Sequence, residues 1–144
     1  MMRIGIMSAA HVHTPSYVQC VKAAPGVELI GLADDDAARG RAFAAEHGLT
    51  LFKDYAALLA ERPDAVIVCC ENTRHRAMTE MAAAAGAHVM VEKPLATTMD
   101  DGRAMIAACA RAGVNLMTAF PMRFNPAAVE VKAALDRGDL GAVR

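Results

Sequence analysis

Short apolar runs alternate along this chain with longer stretches in which apolar residues recur at helical spacing. The runs predict six strands, at residues 3–8, 27–33, 51–52, 65–70, 87–91 and 115–119. The stretches between and after them predict helices at residues 14–24, 37–47, 55–61, 74–85, 99–112 and 126–137. Strands and helices that alternate through short connections form parallel sheets by right-handed crossovers. We therefore predict a doubly wound, three-layer α/β/α domain of the Rossmann type.

Capping residues support these boundaries. Thr14 before Pro15 predicts an N-cap followed by proline at the first helical position. Thr98 predicts the N-cap of the fifth helix, whose positive end Asp100 and Asp101 favour. Glycines follow four of the predicted helix ends, at positions 48, 86, 113 and 138.

The composition indicates a folded protein without a strongly charged surface. Of 144 residues, 55% are hydrophobic and 22% charged, and the formal net charge is −1. That charge favours neither nucleic acid nor an anionic membrane as a partner, and no apolar run reaches the roughly 18 residues of a membrane span. The start of the chain is a poor signal peptide, so we expect a cytoplasmic protein. The four cysteines lack metal-ligand spacing, and we expect buried, reduced thiols.

The turn after the first strand is the first candidate site, because doubly wound sheets bind ligands at the carboxyl ends of their strands. Ser8, Ala10 and His13 stand where the three glycines of a G-x-G-x-x-G fingerprint would lie. The side chains here are mostly small, so backbone N–H groups at the helix start can still hold a pyrophosphate. We predict that this whole turn binds a dinucleotide cofactor, through Ser8, Ala9, Ala10, His11, Val12 and His13.

His11 and His13 also form an H-x-H pair, which raises the question of a metal ion. A loop that leads into a helix does not fix two imidazoles on one ion, and no third ligand follows nearby in the sequence. We therefore predict no metal site. Two interpretations of these histidines remain open: an imidazole that donates to phosphate or substrate, and a solvated loop residue.

Asp34 ends the second strand 21 residues after His13, near the offset of about 20 residues expected for a ribose-binding acid. Its carboxylate can accept both hydroxyls of the adenosine ribose. The alternative is a solvated acidic turn or a helix cap, a role that suits Asp35 and Asp36. A carboxylate here would repel the 2′-phosphate of NADP, and no basic residue follows before Arg39. We therefore predict NAD rather than NADP.

Two further polar segments follow the fourth and fifth strands, namely residues 70–75 and the tripeptide Glu92-Lys93-Pro94. The stretch AVIVCCENTRHRAMTEMAAAAGAHVMVEKPLATT closely resembles the Gfo/Idh/MocA oxidoreductase family, with its strand, N-x-x-H turn, helix ending in glycine and E-K-P. The stretch FPMRFNPAAVEVKAALDRGDLGAVR is similar to that family through R-[FY]-x-P and G-x-[VI]-R. The resemblance covers essentially the whole chain, although the first turn departs from the family's usual glycines.

The resemblance implies a role for each matching residue. Lys93 is expected to contact the nicotinamide ribose and the reacting substrate oxygen, where a cation stabilises developing alkoxide charge. Glu92 is expected to orient that lysine or the ribose, and a cis peptide before Pro94 to aim the lysine inward. The other residues expected to border the cofactor are Cys70, Glu71, Asn72, His75 and Arg123. The alternatives are a solvated Glu92–Lys93 pair, a surface histidine and a structural salt bridge from the arginine.

The resemblance also implies a domain organisation and an activity. Residues 1–120 would form an NAD(P)-binding Rossmann domain, and residues 121–144 a connecting segment and helix leading to a C-terminal α/β substrate domain outside this chain. Hydride would pass between nicotinamide and a sugar, polyol or related hydroxy compound, in a homo-oligomer built through that second domain. We expect this chain to be inactive alone. A non-catalytic NAD-binding sensor or partner-binding module is the alternative.

Overall fold

The computed structural model describes residues 1–142. Within them the strands are β1 (Met2–Met7), β2 (Val27–Ala33), β3 (Leu51–Phe52), β4 (Ala65–Val68), β5 (His88–Val91) and β6 (Leu116–Thr118). The helices are α1 (Thr14–Ala23), α2 (Ala37–His47), α3 (Tyr55–Ala60), α4 (His75–Ala84), α5 (Met99–Ala112) and α6 (Pro126–Asp136). Two short 3₁₀ turns, Asn72–Arg74 and Pro121–Phe124, come before α4 and α6.

The strands form one parallel sheet in the order β3-β2-β1-β4-β5-β6. The chain builds outward from β1 to the edge strand β3 and then returns to the centre with β4, so the strand order reverses between β1 and β4. Helices pack on both faces of the sheet, and the predicted three-layer Rossmann fold is confirmed. Open α/β sheets of this kind bind ligands in the crevice at that switch point.

Each face of the sheet packs against its own apolar layer. On one face Met7, Val68 and Val91 join buried residues of α3, α4 and α5. On the other face Ile6 packs with Val18 and other residues of α1 and β2. Full burial of an aliphatic side chain contributes about 1.5–3 kcal/mol. The two layers therefore fix the strand ends from which the candidate site residues emerge.

Three of the four cysteines are buried, as predicted, and one is not. Cys69 lies in one apolar layer and its neighbour Cys70 in the other, as the strand pattern predicts. Both are buried free thiols, as is Cys109. Cys20 is exposed, so the prediction of a buried thiol is wrong there. The reason is its place on α1, whose inward face is occupied by residues 18 and 21.

The start of α1 also differs from the prediction. The N-cap is His13, with helical dihedral angles and no side-chain cap, rather than Thr14. The Thr14 hydroxyl donates to the carbonyl oxygen of His11 at 2.7 Å, and the Thr14 side chain is buried. Helix α1 therefore begins one residue earlier than the capping preference of threonine suggests. The Thr14 hydroxyl bonds to a carbonyl oxygen of the preceding turn instead of capping the helix.

The other capping predictions are confirmed. Thr98 accepts from the N–H of Asp101 at the start of α5, and Asp36 accepts from two N–H groups at the start of α2. The four glycines at the helix ends all have positive φ angles: Gly48, Gly86, Gly113 and Gly138. Most other element ends lie within one or two residues of their predicted positions.

The last helix, α6, lies at the surface of the described chain. The side chains of α6 are exposed or half-buried, and the division of the chain at residue 120 stays a prediction. The last two residues of the G-x-[VI]-R motif, Val143 and Arg144, lie outside the described residues.

No helix in residues 1–142 is both long enough and apolar enough to cross a membrane.

Candidate functional site

The first turn is built around a residue in an unusual backbone conformation. Ser8 has a φ of +73° and is fully buried where β1 ends. A left-handed conformation favours glycine, which the family motif has at this place. The Ser8 hydroxyl accepts from the N–H of Ala10 at 3.2 Å and lies 3.4 Å from Asp34 Oδ2. The serine side chain thus braces the turn while its backbone carries strain.

Most backbone N–H groups of this turn already have protein acceptors. Ala9 donates to Asp34 Oδ2 at 2.7 Å, His11 to the Cys69 carbonyl oxygen at 3.0 Å, and His13 to His11 Nδ1 at 3.2 Å. The N–H of Val12 has no acceptor within residues 1–142, and the Val12 side chain is exposed. A phosphate would bind here through Val12 and through N–H groups that give up their present partners.

Asp34 is buried and ion-paired, rather than free at the turn. Its carboxylate receives two hydrogen bonds from Arg39, from Nε at 2.9 Å and from Nη2 at 2.7 Å. It also accepts from the N–H of Asp36 at 2.8 Å. The helix α2 comes close enough to place this arginine because Gly40 lies against Asp34, where an added Cβ would come within 3.0 Å of the Asp34 Cβ. The ribose role of Asp34 stays a prediction. Arg39 donates to both carboxylate oxygens, which the ribose hydroxyls would also need.

Further charged residues continue this cluster toward the end of β4. Asp35 accepts from Tyr55 Oη at 2.9 Å and from Arg74 Nη1 at 2.5 Å. Arg74 also pairs with Glu71 at 3.2 Å. Burial alone would raise the pKa of Asp35, but the hydrogen bonds from Tyr55 and Arg74 outweigh it and hold that pKa below its ordinary value.

Glu92 is the second buried acid of the site, with 1% of its surface exposed. Its Oε1 accepts from Tyr17 Oη at 2.6 Å and contacts His13 Nδ1 at 2.8 Å and His11 Nδ1 at 3.5 Å. Its Oε2 accepts from the N–H of Lys93 at 2.8 Å. Burial alone would raise the pKa of Glu92, but hydrogen bonds from Tyr17 and His13 lower it overall. The alternative of a solvated Glu92–Lys93 pair is therefore wrong for the glutamate.

Lys93 and Pro94 leave the end of β5 on an exposed loop. The peptide bond between them is cis, as expected from the resemblance. His75 lies beneath this loop, fully buried, and its Nδ1 donates to the Pro94 carbonyl oxygen at 2.9 Å. The alternative of a surface histidine is thus wrong, because α4 turns its first residue toward the loop. Lys93 therefore projects from a loop that is anchored by the buried hydrogen bond between His75 and Pro94.

The remaining candidates are divided between the site and its surroundings. Cys70 is buried below the switch point, whereas Glu71 and Asn72 are exposed on the turn above it. Arg123 lies on the 3₁₀ turn after β6, with its guanidinium 5.8 Å from the ring centre of Phe120. It forms no ion pair in the described part of the chain, so the alternative of a structural salt bridge finds no support there. The structure does not join Arg123 to the other candidates.

Sequence reasoning missed two kinds of residue at this site. Tyr17 lies on α1 next to the buried Val18, and its hydroxyl reaches Glu92, 75 residues away. Arg39, Tyr55 and Arg74 complete the acidic cluster at the β2 end. The only local signal is the D-x-x-x-x-R spacing of Asp34 and Arg39. The others depend on which strand ends are neighbours.

Comparison with known proteins supports the Rossmann fold of the chain. Residues 2–120 match the family model GFO_IDH_MocA, described as an oxidoreductase family with an NAD-binding Rossmann fold. The D-apiose dehydrogenase of Paraburkholderia graminis is 39% identical over 95% of this chain and 36% of that protein. The D-xylose 1-dehydrogenase (NADP(+)) 2 of Haloferax volcanii is 39% identical over 99% of this chain and 44% of that protein.

A solved structure shares the fold at similar coverage. The WlbA dehydrogenase of Bordetella pertussis, in complex with NADH and UDP-GlcNAcA, superposes with a TM-score of 0.88 at 28% identity, over 97% of this chain and 41% of that one. The chain thus spans less than half the length of these relatives, which are named as dehydrogenases and are associated with NADP in one case and NADH in another. The chain belongs to the Gfo/Idh/MocA family of oxidoreductases and contains its NAD(P)-binding Rossmann domain.

Proposed function

We propose that this chain supplies the cofactor-binding part of an NAD(P)-dependent dehydrogenase that oxidises a hydroxyl group of a sugar or polyol, or reduces the matching carbonyl. One observation carries the proposal: Lys93 leaves β5 at the carboxyl edge of the sheet, directly after a buried glutamate that contacts the first turn. The names of the relatives support the substrate class, since those compared act on D-apiose and D-xylose.

The residues at this edge fit a dinucleotide. The switch point between β1 and β4 opens beside the first turn, where Ala9 and Ala10 leave room for a close approach. The N–H of Val12 is free to donate to a phosphate at the start of α1. Asn72 and Glu71, exposed after β4, would border the same crevice. The bound nicotinamide would accept or donate the hydride.

Lys93 would act on the substrate oxygen. Oxidation of a hydroxyl removes a hydride from carbon and a proton from oxygen, so negative charge develops on that oxygen. An ammonium group beside it lowers the energy of the transition state. The Lys93 N–H is held by Glu92 Oε2, and the adjoining Pro94 carbonyl by His75. These two hydrogen bonds fix the backbone at Lys93, and neither involves its ammonium group.

For the choice of cofactor we propose NAD(H) over NADP(H). Three carboxylates near the β2 end, on Asp34, Asp35 and Glu71, share the two guanidinium groups of Arg39 and Arg74. The cluster keeps an excess of negative charge, which disfavours a 2′-phosphate. Arg39 offsets much of this repulsion, so we expect a preference of about fivefold to tenfold, or roughly 1 kcal/mol.

The test uses the protein expressed from its complete coding sequence. Wild type and Lys93→Ala are assayed with NAD and NADP against a panel of sugars and polyols, by the absorbance of the reduced cofactor. We expect turnover by the wild type and a loss of about 10²–10³-fold in the variant, as when an oxyanion donor is removed. Lys132→Ala, an exposed lysine on α6, is the matched control. Tight cofactor binding without turnover on any substrate would favour a non-catalytic NAD-binding module instead.

We also propose that the protein works in the cytoplasm. The cysteines at positions 20, 69, 70 and 109 are all free thiols, one of them exposed. Such thiols are usual in a reducing compartment. Fractionation of cells that express the tagged protein would test this assignment.

A further inference from the structure

We propose that His11, His13 and Glu92 form a binding site for a divalent metal ion of the zinc type. The two histidines belong to the first turn and the glutamate follows β5, and hydride transfer to nicotinamide does not require this cluster. The proposal goes beyond the function above and contradicts our prediction from sequence, which found no third ligand. That ligand is Glu92, the residue directly after β5 and 79 residues after His13.

The donor atoms have the spacing that such an ion needs. One ligand atom from each residue lies within 4.8 Å of the other two. Glu92 Oε1 is 2.8 Å from His13 Nδ1 and 3.5 Å from His11 Nδ1. Ligands on a tetrahedral zinc ion at about 2.0–2.1 Å are roughly 3.3 Å apart. Small side-chain rotations are therefore sufficient for all three atoms to reach one ion.

His11 presents its Nδ1 atom toward the glutamate. This atom lies 3.5 Å from Glu92 Oε1 and 3.2 Å from the backbone N of His13. Imidazole nitrogen and carboxylate oxygen are both ligand atoms that zinc accepts. On binding, the ion would take the place of the hydrogen between His13 Nδ1 and Glu92, which leaves as a proton, and the backbone N–H of His13 would give up its bond to His11.

Neighbouring groups orient the carboxylate as outer-shell partners orient metal ligands. Tyr17 Oη donates to Glu92 Oε1 at 2.6 Å, and the N–H of Lys93 donates to Oε2 at 2.8 Å. The two imidazole rings pack edge to face, with centroids 4.7 Å apart. The glutamate is thus fixed before any ion arrives.

Exposure of the cluster allows entry and leaves a coordination position open. The Glu92 side chain is 1% exposed, that of His11 15% and that of His13 40%. Two histidines and one glutamate are also the protein ligands of several catalytic zinc sites, in which water or substrate takes the fourth position. We assign that position to water or to an oxygen of a bound ligand.

The experiment measures metal binding directly, without cofactor or turnover, so its outcome is independent of the proposed function. The metal-free protein is titrated with Zn²⁺ by calorimetry and with Co²⁺ by visible absorption. We expect one ion per chain, removed by EDTA. We expect His13→Ala to weaken binding by at least tenfold, since loss of an outer-shell partner alone costs 10–100-fold. Glu92→Gln should act likewise, with its folding checked by circular dichroism.

Two control variants separate the cluster from other donors. His47→Gln and Cys20→Ser remove an imidazole and an exposed thiol outside it, and both should bind as the wild type does. Absence of saturable binding in the wild type would overturn the proposal. It would equally be overturned if either control lost the ion while His13→Ala kept it. His13 is half-exposed, so this variant stays informative even if Glu92→Gln fails to fold.

Discussion

The imidazole of His75 donates from Nδ1 to the carbonyl oxygen of Pro94 at 2.9 Å, so the first residue of α4 holds the loop that follows β5. The two residues lie at the ends of neighbouring strand–helix units and are 19 residues apart. Because His75 is fully buried, this hydrogen bond is shielded from water. The exposed Lys93 therefore stands next to a fixed point of the structure.

Replacing His75 should lower the stability of the fold. His75→Ala removes a buried hydrogen bond and leaves a cavity, and we expect a loss of about 2–3 kcal/mol in the free energy of unfolding. Urea denaturation followed by circular dichroism measures it. Arg41→Ala, at an exposed position of α2, should change stability by less than about 0.5 kcal/mol. Equal effects of the two substitutions would contradict the structural role of His75.

Ser8 should be replaceable by glycine with a gain in stability. A non-glycine residue with a φ of +73° carries strain of order 1 kcal/mol or more. Ser8→Gly relieves that strain and gives up hydrogen bonds of 3.2–3.4 Å, which are long. Ser8→Ala gives up the same bonds and keeps the strain. Thermal unfolding should rank glycine above alanine, and the reverse order would show that strain at this position is unimportant.

Removal of Arg39 should sharpen cofactor selectivity. Arg39→Ala leaves Asp34 without its bidentate partner, so the free carboxylate can accept from a ribose hydroxyl and repels a 2′-phosphate. We expect the preference for NADH over NADPH to rise by about fivefold or more, as one unscreened like charge near the surface predicts. Calorimetric titration with both cofactors measures it. Arg41→Ala on the same helix is the control, and a shift toward NADPH in Arg39→Ala would refute the assignment of Asp34.

Asp35 should make stability depend on acidic pH. Its pKa in the folded state lies below its ordinary value because Tyr55 and Arg74 outweigh the effect of burial. Such a carboxylate stabilises the fold fully above its unfolded pKa of about 3.9, and this stability is lost as pH falls through the lower folded value. We expect wild type to exceed Asp35→Asn by about 0.5 kcal/mol at neutral pH, a typical figure for a partly exposed pair.

The difference between wild type and Asp35→Asn should shrink toward zero as pH falls below about 4. Denaturation at a series of pH values gives the two curves. Asp136→Asn, which removes a carboxylate from an exposed pair on α6, is a suitable control. A difference that stays constant down to pH 3 would mean that Asp35 acts through packing rather than charge.

Much of the fold follows from the sequence because periodicity and capping are local properties. The alternation of short apolar runs with helical spacing determined the strand and helix order. Thr98 and the glycines that follow the helices fixed most of the boundaries. Thr14 is the exception, since its hydroxyl is satisfied inside a buried turn and therefore does not cap the helix. A local capping preference is overridden where tertiary packing gives the side chain a better hydrogen-bond partner.

The partners of the site residues were decided by tertiary structure. The sequence placed Asp34, Glu92 and Lys93 at strand ends, and E-K-P indicated the family. It did not indicate that Asp34 pairs with Arg39, or that Glu92 contacts Tyr17 and the two histidines of the first turn. The contacts of Glu92 with Tyr17 and His13 join residues that are 75 and 79 positions apart in the sequence. Such contacts depend on strand order and on the direction in which each helix leaves the sheet. A parallel sheet brings the carboxyl ends of distant strands to one edge, and only the folded chain shows which side chains meet there.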